Sequence, residues 1–99
     1  MSKYRKKPVI VEAFQLTTTG YIPDWFKQAF IDHKISDLIV SDSGFVGCTI
    51  QTLEGNLHAA PEDYIIKDVD GELYPCKSSV FRKTYEPVPE KEDPTYETK

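Results

Sequence analysis

The chain has 99 residues, of which 39% are hydrophobic and 28% are charged, and its formal net charge is −4 at pH 7. This length supports one modest hydrophobic core, and this apolar content excludes a chain that is disordered throughout. The acidic balance argues against nucleic acid as a partner, because phosphate binding requires an excess of Lys and Arg.

The first predicted element is a strand over residues 8–16. Its apolar side chains alternate onto two faces, with Val9, Val11 and Ala13 on one and Ile10, Phe14 and Leu16 on the other. Apolar residues on both faces predict a central strand that is covered on both sides. Glu12 and Gln15 interrupt this pattern.

An amphipathic helix is predicted next, over residues 23–33. Its apolar residues recur at helical spacing, at Ile22, Trp25, Phe26, Ala29 and Phe30. Pro23 suits the first helical position, and His33 suits the negative end of the helix dipole. We expect the helix to bury Trp25, Phe26 and Phe30 on the sheet against Ile10, Phe14 and Ile66.

Five further β-rich runs and a short helix follow. The runs cover residues 37–41, 45–52, 57–60, 64–68 and 72–76, and short turns with Gly44, Gly55 or Gly71 indicate antiparallel pairing. After Pro75, either Ser78 or Ser79 is expected to cap a helix over residues 79–85. In that helix Phe81 and Tyr85 lie four positions apart and should dock together on the sheet.

These elements predict a single α+β domain over residues 1–89. We expect a mainly antiparallel, curved sheet of five or six strands, packed by the amphipathic helix and closed by the short C-terminal helix. Residues 90–99 lack an apolar period and are predicted to form a disordered acidic tail. Cys48 and Cys76 show no zinc-type spacing, so we expect buried free thiols, no metal and no cofactor.

Polar residues at unusual positions are the candidate binding residues, because the sequence contains no nucleophile motif or cofactor fingerprint. Glu12 and Gln15 stand in a strand predicted to be buried, and a buried carboxylate must be paired, protonated or functional. Pairing with a lysine such as Lys67 or Lys77 is the ordinary explanation for Glu12. The remaining candidates surround the last hairpin, where they also suit a solvated surface: Lys67, Glu72, Tyr74 and Lys77.

Five blocks of the sequence resemble, in order, a family of small uncharacterised proteins of tailed phages and prophages. They are residues 4–15 (YRKKPVIVEAFQ), 52–55 (TLEG), 64–67 (YIIK), 71–77 (GELYPCK) and 81–86 (FRKTYE). The chain departs from the family at Glu62, where Gly is usual, and at Ser78 and Ser79, where Pro-Asp is usual. Glu62 implies either that the turn after Pro61 needs no positive φ or that the turn is strained. The resemblance implies a viral gene product in a bacterial cytoplasm. It does not imply any particular activity.

Three classes of function remain open. The leading hypothesis is a non-catalytic phage accessory protein that binds a host protein or a small ligand, because the chain has polar groups suited to recognition but no reaction machinery. The first alternative is an enzyme that acts on a nucleotide-like metabolite with Glu12 as general base. The second is a nucleic-acid binder that uses the basic residues 3–7. A cytoplasmic monomer or small homo-oligomer is expected, since no apolar run could span a membrane.

Overall fold

The computed structural model describes residues 2–4, 9–17, 22–41 and 44–89. Its elements follow in the order β1 (Glu12–Gln15), α1 (Asp24–Ile31), β2 (Ile35–Ser41), β3 (Gly44–Thr52), β4 (Gly55–Ala59), β5 (Tyr64–Lys67), β6 (Leu73–Cys76) and α2 (Ser78–Thr84). The predicted α+β class is therefore confirmed. Three predicted features lie wholly or partly outside the described residues: most of the basic residues 3–7, residues 42–43 of the predicted turn before Gly44, and the predicted tail at residues 90–99.

The six strands form two antiparallel sheets of three strands each, where one curved sheet was expected. One sheet has the order β1-β5-β6 and the other the order β2-β3-β4. β2, β3 and β4 follow one another in the chain with only two residues between successive strands, so this sheet forms from neighbouring segments of the chain. β1 instead pairs with the distant β5, and local turn chemistry cannot reveal such a partner.

Strand β1 lies at the edge of its sheet, which corrects the prediction of a central, covered strand. Within the described residues it pairs only with β5. Just before it, the side chains of Val9 and Ile10 are 52% and 41% exposed. Phe14 and Leu16 are buried in the main core, whereas Ala13 is exposed on the opposite face.

The main core is built around Phe14, which faces two aromatic rings of α1. Its ring makes edge-to-face contacts with Trp25 and Phe26, at centroid distances of 5.6 and 5.0 Å. The expected burial of Phe30 was wrong, because Phe26 and Ala29 form the buried stripe of α1 and Phe30 lies on its flank. The fully buried side chains around these rings are Leu16, Cys48, Ile50 and Ile65.

Helix α1 is shorter than predicted and ends in a Schellman motif. Pro23 is its N-cap rather than its first helical residue. At the other end, the His33 N–H donates to the Phe30 carbonyl at 3.1 Å and the Lys34 N–H to the Ala29 carbonyl at 2.9 Å. This geometry holds His33 at a φ of +66°, a conformation that favours glycine.

Helix α2 begins one residue earlier than predicted and has no side-chain cap. Its N-cap is Lys77, so Ser78 and Ser79 lie inside the first turn. None of its residues is fully buried. Neither α1 nor α2, the helices of the described residues, is long and apolar enough to cross a membrane.

Candidate functional site

A groove of about 730 Å³ opens between the chain leading into β1 and helix α2. Residues that pair across an antiparallel ladder point to the same face, so Phe14 and Ile65 share the core face. Ala13 and Tyr64 belong to the other face, and both line the groove. The groove thus occupies the second face of the β1-β5-β6 sheet, and its volume is in the range of ligand sites.

Three stacked aromatic rings form one side of the groove. The rings of Tyr64 and Phe81 are nearly parallel, at 7°, with centroids 3.9 Å apart. Tyr85 continues the stack, with its centroid 5.0 Å from that of Phe81. Phe81 and Tyr85 therefore dock together on the sheet, as predicted from their spacing. α2 has no fully buried residue, and the stack of Phe81 on Tyr64 attaches it to β5.

Apolar side chains from both ends of the domain complete the groove. Val9, Ile10 and Val11 approach from the N-terminal side, and Pro87 and Val88 from the chain that leaves α2. Val9, Ile10 and Val88 remain exposed. Large apolar side chains that stay in solvent around a concave surface are typical of a binding site.

The outer edge of β1 borders this groove. The Leu16 N–H donates to the Asp63 carbonyl at 2.8 Å, and the Leu16 carbonyl accepts the Glu62 N–H at 2.9 Å. Backbone groups alternate in direction along an antiparallel strand, so those of Phe14 also point to β5 and those of Ala13 point away. Within the described residues, no strand pairs with that outer edge.

A tight turn fixes the far end of β1. The Asp63 N–H donates to the Ala60 carbonyl at 3.1 Å, with Pro61 at the second position and Glu62 at the third. Glu62 has a φ of +75°, as a type II turn requires at that position. The turn is therefore strained, which was one of the two alternatives raised by the absence of the usual Gly. Asp63 is buried, and its Oδ2 accepts the Ala60 N–H at 2.9 Å.

Glu12 and Lys67 are the two predicted site residues that the structure pairs directly. Glu12 Oε1 lies 3.9 Å from Lys67 Nζ, and the Glu12 side chain is 59% exposed. The expected lysine partner is thus present, but the premise of a buried carboxylate was wrong. An exposed ion pair of this length contributes at most about 1 kcal/mol to stability.

The other four predicted residues do not line the groove. Gln15 contacts the turn at Glu62, and Lys77 is exposed at the start of α2. Glu72 donates its backbone N–H to Asp68 Oδ1 at 3.0 Å, an ordinary turn contact. Partial burial, followed by the nearby carboxylates of Asp68 and Glu72, raises the pKa of Tyr74.

The thiols are free, and neither is activated. Cys48 is fully buried in the core, and burial raises its pKa to about 11. Cys76 is half-buried rather than buried as expected; burial and the Asp63 carboxylate raise its pKa. A nucleophilic cysteine needs the opposite shift. Among the residues that the structure describes, no cluster of three or more His, Cys, Asp or Glu side chains is placed to hold a metal ion.

Glu12 is the one predicted site residue that lines the groove; the apolar residues of the groove were not predicted as binding residues, because apolar side chains also form cores. Phe81, Tyr85 and Val88 were interpreted as packing or as the end of a helix. The sequence signal that could have indicated the groove was the second apolar face of the first predicted strand, which carries Val9 and Val11. Such a face indicates either a covering element or an exposed binding surface, and periodicity alone cannot separate the two.

Comparisons of the chain with protein-family models, curated proteins and solved structures find no match. The resemblance to phage proteins therefore stays a prediction.

Proposed function

We propose that the protein is a small non-catalytic accessory protein of a phage or prophage that binds a host protein or a small ligand in the groove between β1 and α2. The observation that carries this proposal is the apolar groove of about 730 Å³ beside an exposed strand edge. Binding there would remove Val9, Ile10 and Val88 from water, and burial of such side chains favours association.

The surroundings of Glu12 favour binding over catalysis. A general base is usually tuned by burial or by close charges inside a cleft that excludes water. The Glu12 side chain is 59% exposed and already lies 3.9 Å from Lys67. An enzyme that uses Glu12 as general base is therefore the weaker hypothesis. Nucleic acid is also disfavoured, because the chain carries a net charge of −4.

A matched pair of substitutions tests whether the groove is the binding site. Val88→Glu places a charge in the groove, and Val69→Glu places the same charge at the β5-β6 turn, where the side chain is 69% exposed. Each tagged variant is used to capture proteins and small molecules from a bacterial lysate, followed by mass spectrometry. Thermal melts establish that both variants are folded.

We expect the wild-type protein and Val69→Glu to retain the same species, and Val88→Glu to lose it. A species retained equally by all three proteins would place binding outside the groove. If wild type retains nothing above the background of the empty resin, the proposed binding function is wrong.

A further inference from the structure

We infer that the occupant of the groove is an extended, mainly apolar segment of another protein, carrying at least one basic residue, which adds to β1 as a further strand. This inference rests on the proposed function and names the class of partner. It follows from three features of the described residues: the open edge of β1, the apolar face beside it and the charges around it.

The open edge of β1 selects a ligand with a peptide backbone. The N–H and carbonyl of Ala13 point away from β5, as the alternation from the Leu16 hydrogen bonds requires. Ala13 is exposed, and no strand of the described residues pairs with this edge, so its backbone N–H and carbonyl have no partner in a β-ladder there. An extended peptide supplies hydrogen-bond partners in register, whereas a compact apolar ligand leaves them in water.

The groove face then receives alternate side chains of the added strand. Val11 and Ala13 lie on the face that carries the stack of Tyr64 and Phe81. Successive residues of a strand point to opposite faces, so every second side chain of the added segment would enter the groove. Apolar residues at those positions would contact Tyr85 and Val88. This is the pattern of recognition by strand addition.

The charges favour a different protein over a second copy of this chain. Glu86 lines the groove and forms no ion pair within the described part of the chain, whereas Glu12 forms an ion pair with Lys67. An edge-to-edge pair of copies would join two chains that each have a net charge of −4, with the groove carboxylates of both copies in one interface. A basic residue in the added segment would instead lie beside Glu86. Arg82 lines the same groove, so the segment's basic residue should avoid it.

The test uses short peptides selected on the wild-type protein from a random displayed library. The best binders are synthesised, and their Kd values are measured by fluorescence anisotropy. Ala13→Pro removes the outward N–H but no hydrogen bond to β5, so the fold should survive, as edge strands tolerate proline there. Ala13→Val keeps the N–H and is the matched control.

We expect Ala13→Pro to bind the selected peptides about tenfold or more weakly than Ala13→Val, which keeps the N–H, while Val69→Glu, outside the groove, binds them like wild type. Glu86→Gln should weaken the binding of peptides with a basic residue, and Arg82→Gln should strengthen it, because each substitution removes one charge from the groove. In case Ala13→Pro does not fold, the peptide is modified instead. N-methylation of alternate peptide amides should abolish binding, and N-methylation of the intervening amides should not.

Each contrary outcome overturns a distinct statement. Peptides that bind in a Val88-dependent manner but tolerate every N-methylation would refute strand addition and leave the groove as a binding site. A library that yields no binder, beside a small molecule retained in a Val88-dependent manner, would refute the peptide occupant alone. If wild type dimerises in sedimentation and Ala13→Pro makes it monomeric, a second copy occupies the edge and the inference is wrong.

Discussion

Gln15 donates a hydrogen bond from its side-chain Nε2 to the backbone carbonyl of Glu62, at 3.0 Å, although 47 positions separate the two residues. The Glu62 N–H donates in turn to the carbonyl of Leu16. The strained turn at Glu62 therefore holds the end of β1 against β5. The outer edge of β1 owes its position beside the groove to this attachment.

Glu62→Gly should stabilise the protein by about 1 kcal/mol, because Gly adopts positive φ without the penalty of a Cβ atom. The contact from Gln15 would persist, since it is accepted by the backbone carbonyl. Urea denaturation measures the change in the free energy of unfolding. Glu62→Ala keeps the strain and removes the carboxylate, so it should bring no such gain. A Gly variant no more stable than the Ala variant would refute a strained turn.

His33→Gly should also raise stability, by about 1 kcal/mol, because His33 occupies the left-handed position that closes α1. The exposed His33 side chain contributes little packing that could be lost. The thermal midpoint of this variant is compared with that of His33→Ala. We expect only the Gly variant to melt above wild type. Equal midpoints for the two variants would contradict the Schellman geometry.

Phe81→Ala should detach α2 from the sheet and cost about 2–3 kcal/mol, the loss of a half-buried ring and its stacking on Tyr64. Val80, its neighbour on α2, is 50% exposed. Val80→Ala should therefore change stability by only about 0.5 kcal/mol. Amide hydrogen exchange in residues 78–84 reports the detachment directly. Slow exchange in that segment of Phe81→Ala would show that other contacts hold the helix.

Cys48 should make stability fall as the pH rises from about 9 to about 11. Burial raises its pKa in the folded protein from 9.0 to about 11. Between these values the unfolded chain loses the thiol proton and the folded chain retains it, so the unfolded state is favoured. Unfolding free energies measured across this range should fall less steeply for Cys48→Ala. Parallel pH profiles for the two proteins would show that this thiol does not contribute.

Much of the fold could be predicted from local signals. Pro61 and Gly71 mark turns, the spacing of Trp25 and Phe26 marks a helix, and the spacing of Phe81 and Tyr85 marks the docked face of α2. Each of these signals depends on neighbours in the sequence, which is why every element boundary except the start of β1 lies within two residues of its predicted position.

The sheet partners and the candidate site depend on distant contacts that no local pattern contains. In the β1-β5 ladder, Glu12 lies opposite Lys67, a residue far away in the sequence. β1 is an edge strand because β5 pairs with one side of it and no strand of the described residues pairs with the other. Val9 and Val11 have the same alternation in a central strand as in a strand that borders a groove. Their exposure is decided by α2, which covers only part of that sheet face.

The exchange rate of the Ala13 amide proton tests strand addition at β1 most directly. In the free protein this N–H should exchange rapidly, whereas the Phe14 N–H, directed at β5, should be protected. With a selected peptide at saturation, we predict that Ala13 exchange slows by about tenfold or more, because its N–H becomes part of a ladder. An Ala13 exchange rate that does not change at saturation would contradict strand addition at this edge.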